Sequence, residues 1–289
     1  MHYINSKSIL STKNGMNLYR GCSHGCIYCD SRSKVYNMDH DFEDIAVKEN
    51  GISLLKKALK KKNKNVMIGT GSMSDPYMPL EEKLKYTRKT LEIIYNHGHG
   101  FTCITKSDLI LRDLDLLKKI NEKTKAVVQM TLTTADDELC RIIEPNVCTT
   151  KERVEVLKKL NEANIPTIVW LCPILPYIND SEENINQILD YCIDANVKGI
   201  LCFGMGLTLR EGNREYFYKK LDEHFPGLKE KYRRTYKNSY GLKSPNNRKL
   251  MKIFKERTDE HNILNNLDEI FNYLEEFPYS ESTKQTKLI

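Results

Sequence analysis

Short runs of apolar and β-branched residues alternate with longer amphipathic segments from residue 16 to about residue 205. Most of these runs are continuously apolar, which is typical of parallel strands that are covered on both faces. A strand followed by a helix, repeated along the chain, predicts right-handed βαβ units and a parallel sheet. The predicted strands are 16–20, 65–70, 100–105, 126–132, 165–172 and 198–204.

Amphipathic segments separate these strands and are predicted to be helices. They are 42–61, 80–96, 110–121, 150–163 and 182–196, the last with Ser181 at its N-cap position. Periodicity alone leaves two α/β architectures open, a partial barrel and a flat, doubly wound sheet. In both of them ligands bind in the loops that follow the carboxyl ends of the strands.

Residues 205–289 break this alternation. Two helices are predicted there, near 246–260 and 263–276, and the last dozen residues are polar and expected to fray. We therefore expect an α/β core, residues 1–212, and a mostly helical basic extension, residues 213–289, that packs on this core.

Charge and hydropathy exclude several classes of protein. The 289 residues include 45 basic and 39 acidic side chains, a net charge of +6 with neutral histidines. No run approaches the ~20 apolar residues that a membrane helix needs. The first residues, MHYINSKSIL, lack the apolar core of a signal peptide. These features predict a cytoplasmic protein that has no membrane partner.

The positive charge is concentrated near the C-terminal end. Residues 228–257 contain 11 Lys or Arg and 2 Asp or Glu, and Tyr232, Tyr236 and Tyr240 are interleaved with them. Cations that bind phosphates and rings that stack on bases are typical of a nucleic-acid surface. A lysine-rich solvated face explains the same pattern, so both interpretations stay open.

Three of the nine cysteines, Cys22, Cys26 and Cys29, lie within eight residues directly after the first predicted strand. Their C-x3-C-x2-C spacing can place three thiolates on three irons of one [4Fe–4S] cluster. The local sequence offers no fourth cysteine, and an iron without a protein ligand can bind another molecule. Gly21 and Gly25 allow the backbone to fold tightly around such a cluster.

Three other interpretations account for these cysteines less well. A structural zinc site usually takes four ligands in two spaced pairs, and His24 is the only nearby supplement. Burial of free cysteines does not explain their clustering. A purely electron-transferring cluster normally has a fourth cysteine, which would have to come from a distant part of the chain.

The motif, with an aromatic residue before its last cysteine, resembles that of the radical S-adenosylmethionine (radical SAM) superfamily. The resemblance implies a partial (β/α)6 barrel and an open iron that chelates the amino and carboxylate groups of SAM. It also implies that one electron cleaves SAM to methionine and a 5′-deoxyadenosyl radical, which abstracts hydrogen from a substrate.

Further segments resemble the spore photoproduct lyase-like branch of this superfamily, also labelled DNA repair photolyase-like. The resemblance covers about residues 14–212. In chain order the segments are NLYRGCSHGCIYCD, GTGSMSDPYMPLE, ITKSDLILRDLDLL, MTLTTADDELCRIIEP and CPILPYIND.

The resemblance also implies roles for individual residues. Ser74 and Asp75 correspond to the positions that meet the amino group of SAM, and Lys106 to the lysine that meets its carboxylate. Thr131 corresponds to the hydroxyl residue that reaches the ribose, and the backbone of Tyr28 to the part that lies near the adenine. A cation for a carboxylate and a hydroxyl for a ribose are chemically reasonable partners.

One position departs from the branch. Spore photoproduct lyases have a cysteine in the loop after the second strand, where this sequence has Ser72. The O–H bond of serine is too strong to return a hydrogen atom to a product radical, so repair of spore photoproduct is not supported. Cys140 and Cys148 are alternative sources of a thiol, although free cysteines are commonly just buried.

The sequence thus predicts a radical SAM enzyme that acts on an unidentified substrate, with nucleic acid as one candidate. Such an enzyme needs an electron donor such as flavodoxin or ferredoxin. A nucleic-acid-binding protein with a structural or redox-sensing iron–sulfur cluster, and no SAM chemistry, is the alternative.

Overall fold

The computed structural model describes residues 1–277, so the expected fraying of residues 278–289 lies outside the described part of the chain. The strands, numbered in chain order, are β1 (His2–Ile4), β2 (Gly15–Met16), β3 (Tyr19–Arg20), β4 (Ala46–Lys48), β5 (Met67–Thr70), β6 (Gly100–Thr105), β7 (Ala126–Thr131), β8 (Thr167–Trp170), β9 (Gly199–Leu201), β10 (Gly206–Thr208) and β11 (Gly241–Lys243).

The helices are also numbered in chain order. They are α1 (Gly51–Leu59), α2 (Glu81–Leu84), α3 (Tyr86–His97), α4 (Leu114–Lys123), α5 (Asp137–Ile143), α6 (Thr150–Glu162), α7 (Glu182–Asp194), α8 (Asn213–His224), α9 (Leu228–Tyr236), α10 (Asn247–Glu260) and α11 (Leu267–Glu275). As predicted, Ser181 caps α7, because its hydroxyl accepts a hydrogen bond from the backbone N–H of Asn184.

The central sheet has the order β2-β5-β6-β7-β8-β9, and every neighbouring pair in it is parallel. A doubly wound sheet would reverse its strand order part-way across. The order here follows the chain from one edge to the other, with helices between successive strands. This confirms the predicted partial (β/α)6 barrel of the α/β class.

The two faces of the sheet are covered by different helices. Val128 and Val169 belong to the large core that the sheet forms with helices such as α4 and α7. On the opposite, inner face, Val127 and Ile168 pack with Ile270 of α11. The last described helix therefore fills the amino-terminal half of the inner face and leaves the carboxyl ends of the strands to the loops.

The first predicted strand is wrong in part. Of residues 16–20, only the segment around Met16 joins the central sheet, whereas β3 pairs antiparallel with β4 in a separate sheet with β1. The predicted helix 42–61 is correspondingly too long, since residues 46–48 form β4 and α1 begins at Gly51. Residues 46–48 are a strand because Val47 pairs with Tyr3 of β1 and Tyr19 of β3. A local sequence pattern does not reveal such pairing between distant segments.

The other differences also have tertiary causes. The predicted helix 80–96 is divided at Lys85, which has a positive φ of 53°. There the buried Glu81 carboxylate accepts hydrogen bonds from the N–H of Thr87 and the hydroxyl of Tyr19. In the C-terminal region the sequence did not indicate α8, α9 or the β10–β11 pair, whose apolar side chains are sparse.

The C-terminal region packs directly on the cysteine-containing loop. Ile27 and Tyr28 share one buried apolar cluster with Phe217 of α8, Tyr232 of α9 and Leu242 of β11. This cluster is separate from the main core, and it covers one side of the loop that holds the candidate iron ligands. Among residues 1–277, no helix has the length and apolar character needed to cross a membrane.

Candidate active site

Cys22, Cys26 and Cys29 lie in one short loop that begins directly after β3. At its entrance Gly21 has a φ of +85°, and a Cβ atom there would lie 2.4 Å from the carbonyl oxygen of Phe42. The N–H of Cys22 donates a hydrogen bond to the same carbonyl at 3.0 Å. Glycine is therefore required at this position on grounds of both conformation and space.

A second segment of the chain braces the middle of the loop. Gly25 has a φ of +71°, and a Cβ there would lie 3.1 Å from Pro145. The backbone N–H of Asn146 donates to the carbonyl of His24 at 3.1 Å, and its side-chain amide donates to the carbonyl of Ser23 at 2.9 Å. The loop is thus held from two sides by residues far away in sequence.

The three thiols form a mutually interacting group in which Cys26 is buried and Cys22 and Cys29 are partly buried. Burial raises the pKa of Cys22 to about 12, and the neighbouring Asp75 and Cys29 add to this effect. Burial also raises the pKa of Cys26, although Lys106 opposes the shift. Thiols in such an environment become thiolates when a metal supplies the compensating charge. Three soft sulfur donors in a tight loop fit an iron–sulfur cluster.

Asp75 positions Lys106 through the backbone. One carboxylate oxygen of Asp75 accepts the N–H of Lys106 at 2.8 Å. The other accepts the hydroxyl of Thr105 and the N–H of Tyr77, each at 2.8 Å. The loops that follow β5 and β6 are therefore joined at this carboxylate, and Lys106 is fixed beside the cysteine loop.

The side chain of Lys106 is a half-buried cation next to that loop. Its Nζ lies 5.8 Å from the centre of the Tyr28 ring. Burial by itself lowers the pKa of Lys106, but Cys26 and Glu144 outweigh that effect and raise it. Lys106 therefore carries a positive charge in the place where an anionic ligand would contact both the lysine and the cysteine loop.

A fully buried ion pair, Glu144 and Arg153, links the cysteine loop to β7. The Glu144 carboxylate lies 2.5 Å from the Arg153 guanidinium, and Glu144 also accepts a hydrogen bond from the hydroxyl of Tyr28. Arg153 donates to the carbonyls of Thr131 and Cys148, both at 2.9 Å. One arginine thus connects the end of β7 with the aromatic residue of the cysteine motif.

The other predicted contact residues have unused hydrogen-bonding capacity. Ser74 donates its hydroxyl hydrogen to the carbonyl of Tyr19 at 3.1 Å, which leaves its oxygen able to accept. Thr131 ends β7, and its hydroxyl has no partner in residues 1–277. In the same described range, neither backbone polar group of the buried Tyr28 is hydrogen-bonded. A ligand could satisfy all three.

Cys140 and Cys148 do not lie where they could act as a fourth cluster ligand beside the cysteine loop. Cys140 is buried, with its sulfur near the Glu144 carboxylate at 3.7 Å. Cys148 donates its S–H to the carbonyl of Lys106 at 3.0 Å. Ser72 is exposed in the loop after β5.

Comparison with known proteins identifies the family. The family model of the radical SAM superfamily matches residues 16–192. This range includes the cysteine motif and the central sheet up to β8, but not β9. The chain belongs to the radical SAM superfamily. Members of this superfamily use a [4Fe–4S] cluster and SAM.

Relatives in sequence include three proteins that are described as uncharacterized. One from Mycobacterium tuberculosis is 29% identical over 228 residues, which are 77% of this chain and 66% of the relative. The match therefore spans just under two thirds of that relative's length. One from Methanocaldococcus jannaschii is 35% identical over 188 residues, 64% of this chain and 69% of the relative. One from Acidianus two-tailed virus is 31% identical over 224 residues, 72% of this chain and 71% of the relative.

Similar solved structures show the fold of this member of the superfamily. A spore photoproduct lyase variant gives a TM-score of 0.67 at 13% identity, over 90% of this chain and 78% of that chain. A variant of the same lyase with bound AdoMet and dinucleoside spore photoproduct gives a TM-score of 0.65 at 12% identity, over 90% and 78%. The radical SAM methyltransferase TsrM from Kitasatospora setae, with cobalamin and [4Fe-4S] cluster bound, gives 0.50 at 14%, over 68% and 34%.

Two residues near the site were missed in the sequence, Glu144 and Arg153. A signal for Arg153 was present, because it is followed by Val154, Val156 and Leu157 in a helix whose other apolar positions face the core. A charged residue at such a position calls for a buried partner. The sequence does not identify this partner, because Glu144 lies outside the helix that contains Arg153.

Proposed function

We propose that Cys22, Cys26 and Cys29 bind three irons of the [4Fe–4S] cluster and that SAM binds the fourth. When bound, these two cofactors supply reductive cleavage of SAM to methionine and a 5′-deoxyadenosyl radical, which abstracts hydrogen from the substrate. The observation that supports this assignment best is the Lys106 cation, held by Asp75 beside Cys26. It provides a charged partner for a carboxylate next to the open iron.

The same geometry supports a role for each of the other predicted residues. The oxygen of Ser74 and the carboxylate of Asp75 can accept hydrogen bonds from the SAM ammonium group. The hydroxyl of Thr131 is available to the ribose. The backbone of Tyr28 is available to the adenine, while its ring is anchored to Glu144. These residues bind and orient SAM, and none of them needs to transfer a proton.

Anaerobic reconstitution tests the assignment. The variant with Cys22, Cys26 and Cys29 all replaced by alanine should lose both the brown colour and the release of 5′-deoxyadenosine under dithionite. Cys192→Ala is the matched control, because Cys192 lies in the apolar core, far from the loop in sequence. Release of 5′-deoxyadenosine by the triple variant would disprove the proposal.

We also propose that the substrate is a nucleic acid. Lys231, Arg233, Arg234 and Lys237 are exposed on or after α9, as a phosphate-binding surface requires. The three interleaved tyrosines do not form one stacking surface, however. Tyr232 is fully buried and donates its hydroxyl to the carbonyl of Pro176, so it belongs to the fold.

Two measurements test this substrate class. Neutralising the four cations on and after α9 should weaken oligonucleotide binding and flatten its dependence on salt concentration. Deuterium transfer from labelled ultraviolet-damaged DNA into 5′-deoxyadenosine would identify a substrate directly. A salt dependence unchanged by the four substitutions would rule out this surface.

The reductant is proposed to be a flavodoxin or a ferredoxin, since the cluster must receive one electron for each cleavage. Replacement of dithionite by either protein, with its reductase, should support 5′-deoxyadenosine formation. Because the chain belongs to the radical SAM superfamily, we propose SAM chemistry in preference to the alternative of a binding protein without it.

A further inference from the structure

The inner face of the sheet continues from the proposed SAM site onto the neighbouring strand. Thr131 of β7 is the register partner of Trp170 of β8. Register partners on adjacent parallel strands project from the same face, and the strands are about 5 Å apart. Trp170, the only tryptophan in the sequence, therefore lies directly beside the residue assigned to the SAM ribose.

Hydrogen bonds across three strands fix the indole ring of Trp170. Its Nε1–H donates to the amide oxygen of Gln129 at 2.7 Å, and the amide nitrogen of Gln129 donates to the hydroxyl of Thr102, also at 2.7 Å. Gln129 and Thr102 are both buried. Burying an amide costs free energy unless its hydrogen bonds are satisfied. The two hydrogen bonds of Gln129 therefore fix the orientation of the indole ring.

A second aromatic side chain extends this surface toward solvent. Phe203 follows β9, and its ring centre lies 5.8 Å from that of Trp170 at an angle of 49° between the rings. Its side chain is 56% exposed. Ile168 and Leu201 form a buried cluster with Ile270 of α11, and the partly buried Trp170 packs against this cluster. Aromatic rings that remain open beside a reaction centre are typical binding surfaces for planar groups.

The neighbouring surface is positively charged. Arg248, Lys252 and Lys255 are exposed at i, i+4 and i+7 on one face of α10 and line a cleft of about 700 Å³. Cys202, the residue before Phe203 in the chain, lines the same cleft, which brings the cleft within one residue of the aromatic pair along the chain. Glu256 and Asp259 also line it, and Glu256 pairs with Lys252 at 3.6 Å. Within residues 1–277, Arg248 and Lys255 have no ion-pair partner.

We propose that Trp170 and Phe203 form the stacking platform for a base of a single-stranded nucleic acid, whose phosphates bind Arg248 and Lys255 of α10. Stacking on aromatic rings beside a cationic track is how proteins hold single strands without reading their sequence. The adjacency of Trp170 and Thr131 places the stacked nucleotide next to the bound SAM. This inference rests on the proposed function, because it assigns the substrate-facing part of the same site.

The single tryptophan makes the platform directly measurable. Titration of the anaerobic, cluster-loaded enzyme with a short oligothymidylate should quench the fluorescence of Trp170 in a saturable way. Phe203→Ala should weaken binding by about tenfold or more, the scale of one base stacked on an aromatic ring. Trp170→Phe keeps an aromatic ring and should abolish the signal, while binding measured by anisotropy remains. Phe271→Ala, at an exposed phenylalanine of α11, is the matched control and should change neither signal.

The phosphate contacts have a separate readout. Replacing both Arg248 and Lys255 by glutamine should weaken binding and make its dependence on the logarithm of salt concentration shallower by about 1.4. Lys118→Gln with Lys119→Gln, on exposed positions of α4, should leave that slope unchanged. An unchanged slope in the first double variant would overturn the proposal. Quenching by an aromatic peptide but not by oligothymidylate would do so as well.

The outcome separates this inference from the function on which it rests. Release of 5′-deoxyadenosine under dithionite, measured on the wild type without oligonucleotide, reports SAM cleavage independently of nucleic-acid binding. If the wild type cleaves SAM but Phe203→Ala binds oligothymidylate normally, only the platform is wrong. If the wild type does not cleave SAM, the proposed function itself fails.

Discussion

The carboxylate of Glu144 and the guanidinium of Arg153 lie 2.5 Å apart, and both side chains are completely buried. Each of the two groups also makes a second contact. Glu144 also accepts the hydroxyl of Tyr28, and Arg153 also donates to the carbonyl of Thr131. The pair therefore connects the cysteine motif to the strand end that is proposed to meet the ribose, although it contacts neither cofactor in the proposed arrangement.

Removing one member of this pair should destabilise the fold. Glu144→Gln leaves the Arg153 cation buried without its counter-charge, which typically costs about 3–5 kcal/mol. Urea unfolding of the cluster-free protein should show a correspondingly lower midpoint. Glu155→Gln breaks the exposed pair with Lys158 and is the control, expected to leave the midpoint unchanged. Equal midpoints for both variants would show that the buried pair contributes no stability.

The same pair predicts a pH dependence. Burial alone raises the pKa of Glu144, but Arg153 and Lys106 together hold it below its ordinary value of 4.5. A carboxyl group whose pKa is lower in the folded state stabilises the fold above the unfolded pKa, and this stabilisation is lost as pH falls through the folded pKa. The difference in unfolding free energy between wild type and Glu144→Gln should therefore be full at neutral pH and shrink below about pH 4.5.

Gly21 should be indispensable for cluster binding. Gly21→Ala must accommodate a Cβ 2.4 Å from the Phe42 carbonyl oxygen, so the loop has to move and iron loading should fall to a small fraction of the wild-type value. Gly227 also has a positive φ, +80°, but a Cβ there meets no atom within 4 Å. Gly227→Ala should therefore lose ~1–2 kcal/mol of stability while binding a normal amount of iron. Normal iron content in Gly21→Ala would contradict the loop geometry.

Lys106 should contribute to SAM affinity through its charge. Lys106→Met keeps much of the side-chain volume and removes the cation, which should weaken SAM binding to the reconstituted enzyme about 10–100-fold. Equilibrium dialysis with radiolabelled SAM measures this directly, and Lys118→Met on α4 is the control at an exposed lysine. Iron content should stay normal in both variants. Unaltered SAM affinity in Lys106→Met would exclude the lysine as the carboxylate partner.

The predicted strands in the middle of the chain agree with the structure because their burial is expressed in local composition. Residues 100–105 coincide with β6, and all six residues of β7 are buried. A strand that is covered on both faces must be apolar throughout. The first strand and the segment 42–61 were misjudged, since β3 and β4 are short and are defined by mutual pairing.

The candidate site shows the same division. The cysteine spacing and Lys106 could be recognised because each lies in a contiguous motif. Arg153 gave only the signal of a charge among apolar helix positions. Its partner Glu144 could not be recognised, because it lies nine residues before Arg153 and also contacts Tyr28, which is 116 residues away from Glu144. Trp170 could be read only as part of an apolar strand, and its neighbour Phe203 was included in the last predicted strand.

Local patterns of apolar residues and the spacing of three cysteines were enough to indicate the α/β architecture, the family and the chemistry of its cofactors. The strength of those signals comes from short-range constraints, namely the two-sided burial of parallel strands and the reach of three thiols in one loop. Only the folded chain decides which distant groups neutralise and orient one another around that loop. Burial makes each such charge depend on a specific partner, and sheet register, which no local pattern specifies, places Trp170 beside Thr131.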